Sequence, residues 1–433
     1  MADRRTSAAR PSRATTRRAA APSTPGRRTT AARRGPAKGG PRALRLVHPE
    51  RRPRRDAAAD ARFSLALLLA PAAVLTGIGL VMVLSASSVT AYAEFGSSFL
   101  FFNRQVIYAI VGVVGMVCVA RLPYRVWQRL SVPLLLVTVV LLILALTSGR
   151  AVYGASRWLY VGSISLQPAE LAKLALLSFT ATVLAAKWRR LDQLGHLIVP
   201  VLPVTAVVAG IVILQRDLGT TIILCGSVFL LLFVAGVRLR WLATGGAIGI
   251  LLSIALIFGE GYRKARFLSY TDPGADPSGA GYQLIQGYIA LGSGGWFGVG
   301  LGASRQKWGS VPNAHTDFIF AILGEELGLV GAFVVLALFA TLIYAGIRIA
   351  VRAPDTFGRL LAAGITGWFG LQAIVNLGAV TGLMPITGVP LPFVSFGGSA
   401  LVVALVAVGV LASIARTGAV RRGRPGVRAT VRS

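Results

Sequence analysis

The chain has 433 residues, of which 55% are hydrophobic, and it carries a formal net charge of +30. Its mean hydropathy of +0.69 is too high for an ordinary soluble domain and indicates a membrane protein. The two cysteines, Cys118 and Cys225, both fall in apolar runs, which excludes a disulfide framework and a cysteine metal site.

The first 62 residues concentrate the positive charge. They hold 18 Arg and Lys against four acids, among small residues and with almost no large apolar side chains. Such a segment cannot bury enough surface to fold, so 1–62 is predicted to be a disordered basic cytoplasmic tail. It lacks the apolar core of a signal peptide and is expected to stay attached. Residues 416–433 form a second basic tail.

Basic tails next to membrane spans are attracted to anionic lipids of the cytoplasmic leaflet. Contact with anionic lipids is therefore favoured over nucleic-acid binding, and no nucleic-acid partner is expected.

Apolar runs of about 20 residues predict ten transmembrane helices between residues 63 and 415, which makes the chain an all-α polytopic membrane protein. The eighth predicted span is long enough to tilt or to project beyond the bilayer. The predicted spans are 63–87, 105–120, 130–148, 168–186, 196–214, 218–236, 240–259, 317–350, 359–380 and 396–415.

An even number of spans places both termini on one side of the membrane, and the charges decide which side. Short connections on one side are rich in Arg and Lys, whereas those on the other carry few, so both termini are predicted to be cytoplasmic. The long connection between the seventh and eighth spans, 260–316, is then extracellular. Its five cations suit an anionic ligand, although a solvated linker held by phospholipid headgroups fits equally: Arg263, Lys264, Arg266, Arg305 and Lys307.

Five acidic residues lie in or at the edge of predicted spans, where charge is costly, and are candidates for function. Glu170 and Lys173 are three residues apart on one helix face, so they form either a structural ion pair or a substrate-facing pair. Asp217 is favoured as the N-terminal cap of the sixth span over a catalytic role. The other three acids are Asp317, Glu325 and Glu326.

Asp317 stands at the predicted outer start of the eighth span, beside His315 and Thr316. It could cap the helix, with Thr316 as a rival, or accept a proton from a substrate hydroxyl as a general base. Eight residues along the same helix, Glu325 lies about 80 degrees around its axis from Asp317 and is expected to border the same cavity. Glu326 then points nearly opposite and contacts a neighbouring helix.

A Pro- and Gly-rich stretch, 383–399, precedes the last span. So many residues of these types predict a rigid re-entrant or surface turn. Non-helical backbone at this position must be packed in protein or line a wet cavity.

Several of these stretches together resemble the SEDS family (shape, elongation, division and sporulation proteins), most closely its FtsW branch. The resemblance covers roughly residues 63–416 in matching order. It rests on Gly154 to Trp158, Gln167 to Lys173, Asp217 to Thr220, Gly281 to Gln286, His315 to Ala321, Gly324 to Gly328 and the turn that ends at Ser399.

The resemblance implies a bacterial peptidoglycan glycosyltransferase that polymerises lipid II at the outer face of the cytoplasmic membrane. The essential aspartate of the family matches Asp317, and residues of the family cavity match Arg157, Glu170, Lys173 and Glu325. Two positions depart from the family pattern: Arg216 stands where relatives usually have Pro, and Phe396 stands where Tyr is common. Neither position is assigned a catalytic task.

The resemblance also implies a class B penicillin-binding protein as partner, together with other division proteins at the septum. A divalent cation, Mg²⁺ or Mn²⁺, remains open because no ligand set in the sequence defines one. Three alternatives stay open as well: a lipid II flippase, a RodA-type elongation polymerase and a division scaffold.

Overall fold

The computed structural model describes residues 54–152, 155–162, 164–188, 194–259, 261–275, 277, 279, 281–308, 311–312 and 314–423. The predicted N-terminal tail lies outside the described residues up to residue 53, but residues 54–62 belong to the first helix. Likewise, the last helix continues to Gly423, and residues 424–433 of the second tail lie outside the described part.

All ten predicted spans coincide with helices. Eight described helices are long and apolar enough to cross a membrane, and two shorter apolar helices, Pro200–Leu214 and Leu218–Val234, accompany them. The α-helices of the described residues are α1 Arg54–Phe95, α2 Leu100–Arg121, α3 Arg125–Ser148, α4 Pro168–Ala186, α5 Leu194–Leu214, α6 Leu218–Val234, α7 Leu239–Phe258, α8 Gly261–Thr271, α9 Tyr282–Ser293, α10 Ile319–Val351, α11 Thr356–Val380 and α12 Gly398–Gly423.

Two outer connections contain structure that the apolar pattern does not predict. Between α3 and α4 the chain forms a small antiparallel sheet with strand order β1-β2-β3: β1 Arg150–Val152, β2 Ala155–Val161 and β3 Ile164–Leu166. The long connection between α7 and α10 contains α8, a 3₁₀ turn at Pro273–Ala275, and α9. These elements are too short to show in a search for spans of about 20 residues.

Helices α4, α11 and α12 lie at the centre of the bundle, where most of their side chains are buried, whereas α7 lies at its periphery. Helix α12 packs on α1 and α2, and α10 packs on α1 and α11. Asp60, which the sequence assigned to the tail, instead connects α1 to the inner end of α10. Its Oδ1 lies 3.2 Å from Arg348 Nη2 and 3.4 Å from Arg352 Nη1.

Candidate functional site: an outer cavity around Asp317

A cavity of about 1270 Å³ lies among the outer connections of the bundle. Its wall is formed by the ends of α1 and α6, by β2, by α8, by residues 311–312 and 314–317, and by the Pro- and Gly-rich turn. That turn is packed in protein and lines the cavity, as its composition predicted. The cavity opens on the side that the charge pattern predicts to be extracellular.

Asp317 lies on the cavity wall and is 8% exposed. Helix α10 begins at Ile319 and its N-cap is Phe318, with no side-chain cap, so neither Asp317 nor Thr316 caps it. The Thr316 hydroxyl instead donates to Asp317 Oδ1 at 3.0 Å. Burial raises the pKa of Asp317, and the positive charge of Arg266 opposes that rise in part. A carboxyl with a raised pKa binds a proton more readily than an ordinary aspartate, as a general base must.

The backbone around Asp317 is held from α11. Asn376 Nδ2 donates to the backbone carbonyl of Asp317 at 2.9 Å and to that of Val389 at 2.8 Å, so one side chain joins the backbone of Asp317 to the turn. In that turn Gly388 has φ +71, a conformation that favours glycine. A Cβ there would lie 3.6 Å from Arg266 Nη1 and 3.8 Å from Asp317 Oδ2, so Gly388 leaves space in front of both groups.

His315 lies beside Asp317 on the cavity wall. Its ring stacks on Phe101 at a centroid distance of 4.9 Å and contacts Phe396 at 5.7 Å. Burial lowers the pKa of His315 to about 4, so the ring is neutral at physiological pH. His315 therefore shapes the wall and brings no positive charge to the carboxylate.

Arg157 reaches the cavity from β2, but its guanidinium already has acceptors. It donates to the carbonyl of Gln215 at 3.3 Å and to the carbonyl of Arg216, and it lies 3.9 Å from Asp217 Oδ1. Asp217 caps α6 by accepting from Thr220 N at 3.1 Å, which confirms the cap predicted from sequence. Arg157 thus fastens the turn between α5 and α6.

Arg216 occupies the same turn with φ 61, an unfavourable backbone conformation for a residue other than glycine. Its exposed side chain lines the cavity. Arg263 and Arg266 of α8 line it as well, whereas the other three cations of the long connection, Lys264, Arg305 and Lys307, do not. The sequence marked Arg216 only as a departure from the family pattern, because whether a cation faces a cavity or the surface depends on packing with distant segments.

Glu170 and Lys173 meet each other, but not on the wall of this cavity. Lys173 Nζ lies 2.8 Å from Glu170 Oε1 and 2.9 Å from Gln372 Oε1, and both charged side chains are at most 2% exposed. Gln372 Nε2 in turn donates to the carbonyl of Pro390 at 2.8 Å. Of the two readings left open by the spacing, this geometry favours the structural ion pair over the substrate-facing one.

Glu325 does not border the cavity, contrary to the helical-wheel expectation. Because α10 starts after Asp317, the two residues do not share one helix, and the angle of about 80 degrees expected for a continuous helix does not apply. Glu325 accepts from Arg305 N at 2.9 Å and from the Ser304 hydroxyl. Glu326 accepts from Ser85 of α1 at 2.5 Å, which confirms its expected contact with a neighbouring helix.

The cavity therefore brings arginine side chains and the carboxyl of Asp317 to one wall. The structure brings Asp317 and Arg157 to this cavity and leaves Glu170, Lys173 and Glu325 off its wall. Among the described residues no group of three His, Cys, Asp or Glu side chains could hold a metal ion, so no residues are identified for a divalent cation.

Membrane-spanning helices around an outer cavity define a multi-pass membrane protein. The family model described as "Cell cycle protein", FtsW/RodA/SpoVE, matches residues 65–419. The chain belongs to this family, as the resemblance of its motifs predicted.

Curated relatives agree with this membership. The chain is 43% identical over 355 residues to a probable peptidoglycan glycosyltransferase FtsW of Geobacter metallireducens, covering 82% of the chain and 94% of the relative. It is 42% identical over 352 residues to stage V sporulation protein E of Bacillus subtilis, covering 81% and 96%. It is 40% identical over 368 residues to a probable peptidoglycan glycosyltransferase FtsW of Mycobacterium tuberculosis, covering 83% and 70%.

Two solved structures share the fold. One, described as the structural coordination of polymerization and crosslinking by a peptidoglycan synthase complex, contains a chain with a TM-score of 0.67 and 30% identity, covering 81% of this chain and 97% of that one. The crystal structure of the rod shape determining protein RodA of Thermus thermophilus has a TM-score of 0.60 and 29% identity, covering 80% and 95%.

Proposed function

We propose that the chain is a peptidoglycan glycosyltransferase that polymerises lipid II at the outer face of the cytoplasmic membrane. The observation that carries the proposal is Asp317, a carboxyl with a raised pKa on the wall of a large outer cavity that also contains arginines. Relatives over most of the chain are named as probable enzymes of this activity, which supports the proposal.

In the proposed reaction Asp317 accepts the proton of the 4-hydroxyl on the N-acetylglucosamine of the acceptor. The oxygen attacks the anomeric carbon of the N-acetylmuramyl unit of the donor, and the bond from that carbon to the diphosphate breaks. Polyprenyl diphosphate leaves with the bonding electrons. Asp317 then releases the proton to solvent, which regenerates the base.

The departing diphosphate gains negative charge, which fixed cations can stabilise. Arg216, Arg263 and Arg266 line the cavity and are the proposed contacts of the diphosphate. Arg157 acts on the same wall by holding the turn that carries Arg216, because its guanidinium donates to carbonyls of that turn. The proposed role of Glu170 and Lys173 is to hold Gln372, which donates to the Pro390 carbonyl, and not to contact substrate.

The place of action and the partner belong to the same proposal. Similarity to proteins named FtsW supports a role at the division septum. The structural likeness to a chain of a peptidoglycan synthase complex supports a class B penicillin-binding protein as the crosslinking partner. Anionic lipids are the proposed contacts of the two basic tails.

The full chain, purified in detergent and supplied with lipid II, tests the proposal through Asp317→Asn. Loss of a general base should lower the polymerisation rate by about 10² or more. The matched control is Asp272→Asn, which makes the same change at an exposed residue outside the cavity and should leave the rate unchanged. Both proteins must elute as monodisperse species, so that loss of activity cannot come from misfolding.

Retained polymerisation by Asp317→Asn would refute the assignment of the base. If the natural chain makes no glycan but moves lipid II headgroups across sealed vesicles, the flippase alternative replaces the enzyme. Normal growth of cells that carry only Asp317→Asn would favour the scaffold.

A further inference from the structure

Helix α10 is interrupted at Gly328, which has φ 67. A Cβ at this residue would lie 2.3 Å from Gly298 N and 2.6 Å from the carbonyl of Trp296, so only glycine allows the connection between α9 and α10 to approach so closely. Four backbone hydrogen bonds join the two segments across the break: Val299 N to Glu325 O at 2.9 Å, Gly300 N to Glu326 O at 3.1 Å, Leu329 N to Gly295 O at 2.9 Å and Val330 N to Trp296 O at 3.1 Å.

These bonds hold residues 294–300 next to the break. They also pair the polar groups of the non-helical backbone, as backbone near the membrane requires. Side chains fasten the following residues to the same helix. Ser304 donates to Glu325, Arg305 N donates to Glu325 at 2.9 Å, and Lys307 Nζ lies 3.7 Å from Glu326 Oε1. We name residues 294–308 the interfacial segment.

The burial of α10 changes at the break. Every residue from Ile319 to Glu326 is buried by protein, whereas Leu329, Val330 and Phe333 are exposed apolar side chains. The apolar surface that faces lipid therefore begins directly after Gly328. Arg348 lies 20 residues after Gly328, which corresponds to about 30 Å of helix, the thickness of the hydrocarbon core. With Arg348 at the inner boundary, Gly328 lies at the outer boundary.

The interfacial segment presents large apolar side chains at this height. Phe297 is 84% exposed, Trp308 71% and Trp296 67%, and Val299 and Leu301 are exposed as well. Left in water they would form a costly apolar surface. Aromatic side chains are enriched where the bilayer meets water, since their rings suit the headgroup level.

We propose that the interfacial segment is a lipid-binding surface that inserts its aromatic side chains into the outer leaflet at the membrane–water boundary. Its occupant is lipid because the exposed side chains continue the lipid-facing surface of α10 across the hydrogen-bonded break. The insertion also sets the height of the cavity. Asp317 lies just before α10, on the same side of the break as the buried residues Ile319 to Glu326, so the depth of the break bears on the depth of the cavity.

Site-directed spin labelling of the full chain in phospholipid vesicles tests this proposal. The two native cysteines, Cys118 and Cys225, are replaced by serine, and a nitroxide is attached to Phe297→Cys or Trp308→Cys. Both positions are highly exposed, so the label does not disturb packing. Collision rates are measured with oxygen, which concentrates in lipid, and with a nickel chelate, which stays in water. Leu251→Cys on exposed α7 is the lipid control, and Asp272→Cys is the water control.

We expect oxygen to exceed nickel in collision rate at both segment positions, as at residue 251, and the order to reverse at residue 272. Collision with nickel at the rate of residue 272 would show that the segment is in water and would overturn the proposal. Shielding from both reagents would also overturn it, because it would mean that protein and not lipid covers the surface. None of these readings requires glycan synthesis, so failure here is separate from failure of the proposed enzyme.

Discussion

Replacing Lys173 with methionine should destabilise the protein strongly. The ammonium of Lys173 contacts Glu170 Oε1 at 2.8 Å and Gln372 Oε1 at 2.9 Å, and it lies 4.9 Å from the centre of the Trp368 ring. Its side chain is 1% exposed and that of Glu170 is 2% exposed, so water cannot replace the lost partner. Removing one member of a buried pair leaves an uncompensated charge, which costs about 3–5 kcal/mol.

The double variant Glu170→Gln/Lys173→Met removes both charges and keeps similar volumes. Replacing a whole buried pair by neutral side chains is often close to neutral, so the double variant should recover most of the lost stability. The matched control is Arg125→Met, which breaks the Arg125–Asp355 pair, whose side chains are 51% and 25% exposed. Loss of such an exposed pair should cost about 1 kcal/mol or less.

Thermal unfolding in detergent measures stability, and polymerisation of purified lipid II measures activity. If the pair is structural, the double variant is both stable and active. A double variant that is as stable as the natural chain but makes no glycan would show that these charges contact substrate, and it would refute the structural assignment. A Lys173→Met variant that is as stable as the natural chain would refute the argument from burial.

Three further predictions concern the cavity. Burial raises the pKa of Asp317, and only the deprotonated carboxylate is a base, so the acid limb of the kcat/KM profile should lie above the ordinary aspartate value of 3.8. Arg266→Gln removes a positive charge that lowers this pKa and should move the limb to still higher pH. An unmoved limb would count against an electrostatic interaction between Arg266 and Asp317. Asn376→Leu removes the donor to the Asp317 carbonyl, so kcat should fall several-fold with little change in KM for lipid II. A rise in KM as large as the fall in kcat would contradict the idea that Asn376 positions Asp317. Gly388→Ala should lower the free energy of unfolding by about 1–2 kcal/mol, because residue 388 has a left-handed backbone conformation, and it should also lower kcat/KM. Full activity would show that substrate does not use the space beside Asp317.

The apolar spans could be predicted because the signal is local. A run of about 20 apolar residues identifies a spanning helix whatever its neighbours are, and all ten runs are helical. The cap formed by Asp217 was predictable for the same reason, since its donor, Thr220 N, lies only three positions further along the chain. The role of Asp317 as a base stays a prediction, although its place on the cavity wall agrees with it.

The geometry of α10 could not be predicted in this way. A helix drawn from Asp317 onward placed Glu325 on the cavity, whereas the real helix starts at Ile319 and Glu325 binds the interfacial segment. The break at Gly328 depends on backbone contacts with residues that lie about 30 positions earlier in the chain. No periodicity within α10 encodes those contacts.

The sequence by itself identified the apolar runs that form helices and the residue types that connect them, because hydropathy acts on each segment separately. Only the tertiary structure decided which charges meet. It joined Lys173 to Gln372, fastened Arg157 to a turn, and left Arg266 beside Asp317, since these pairings depend on how separate helices and loops pack.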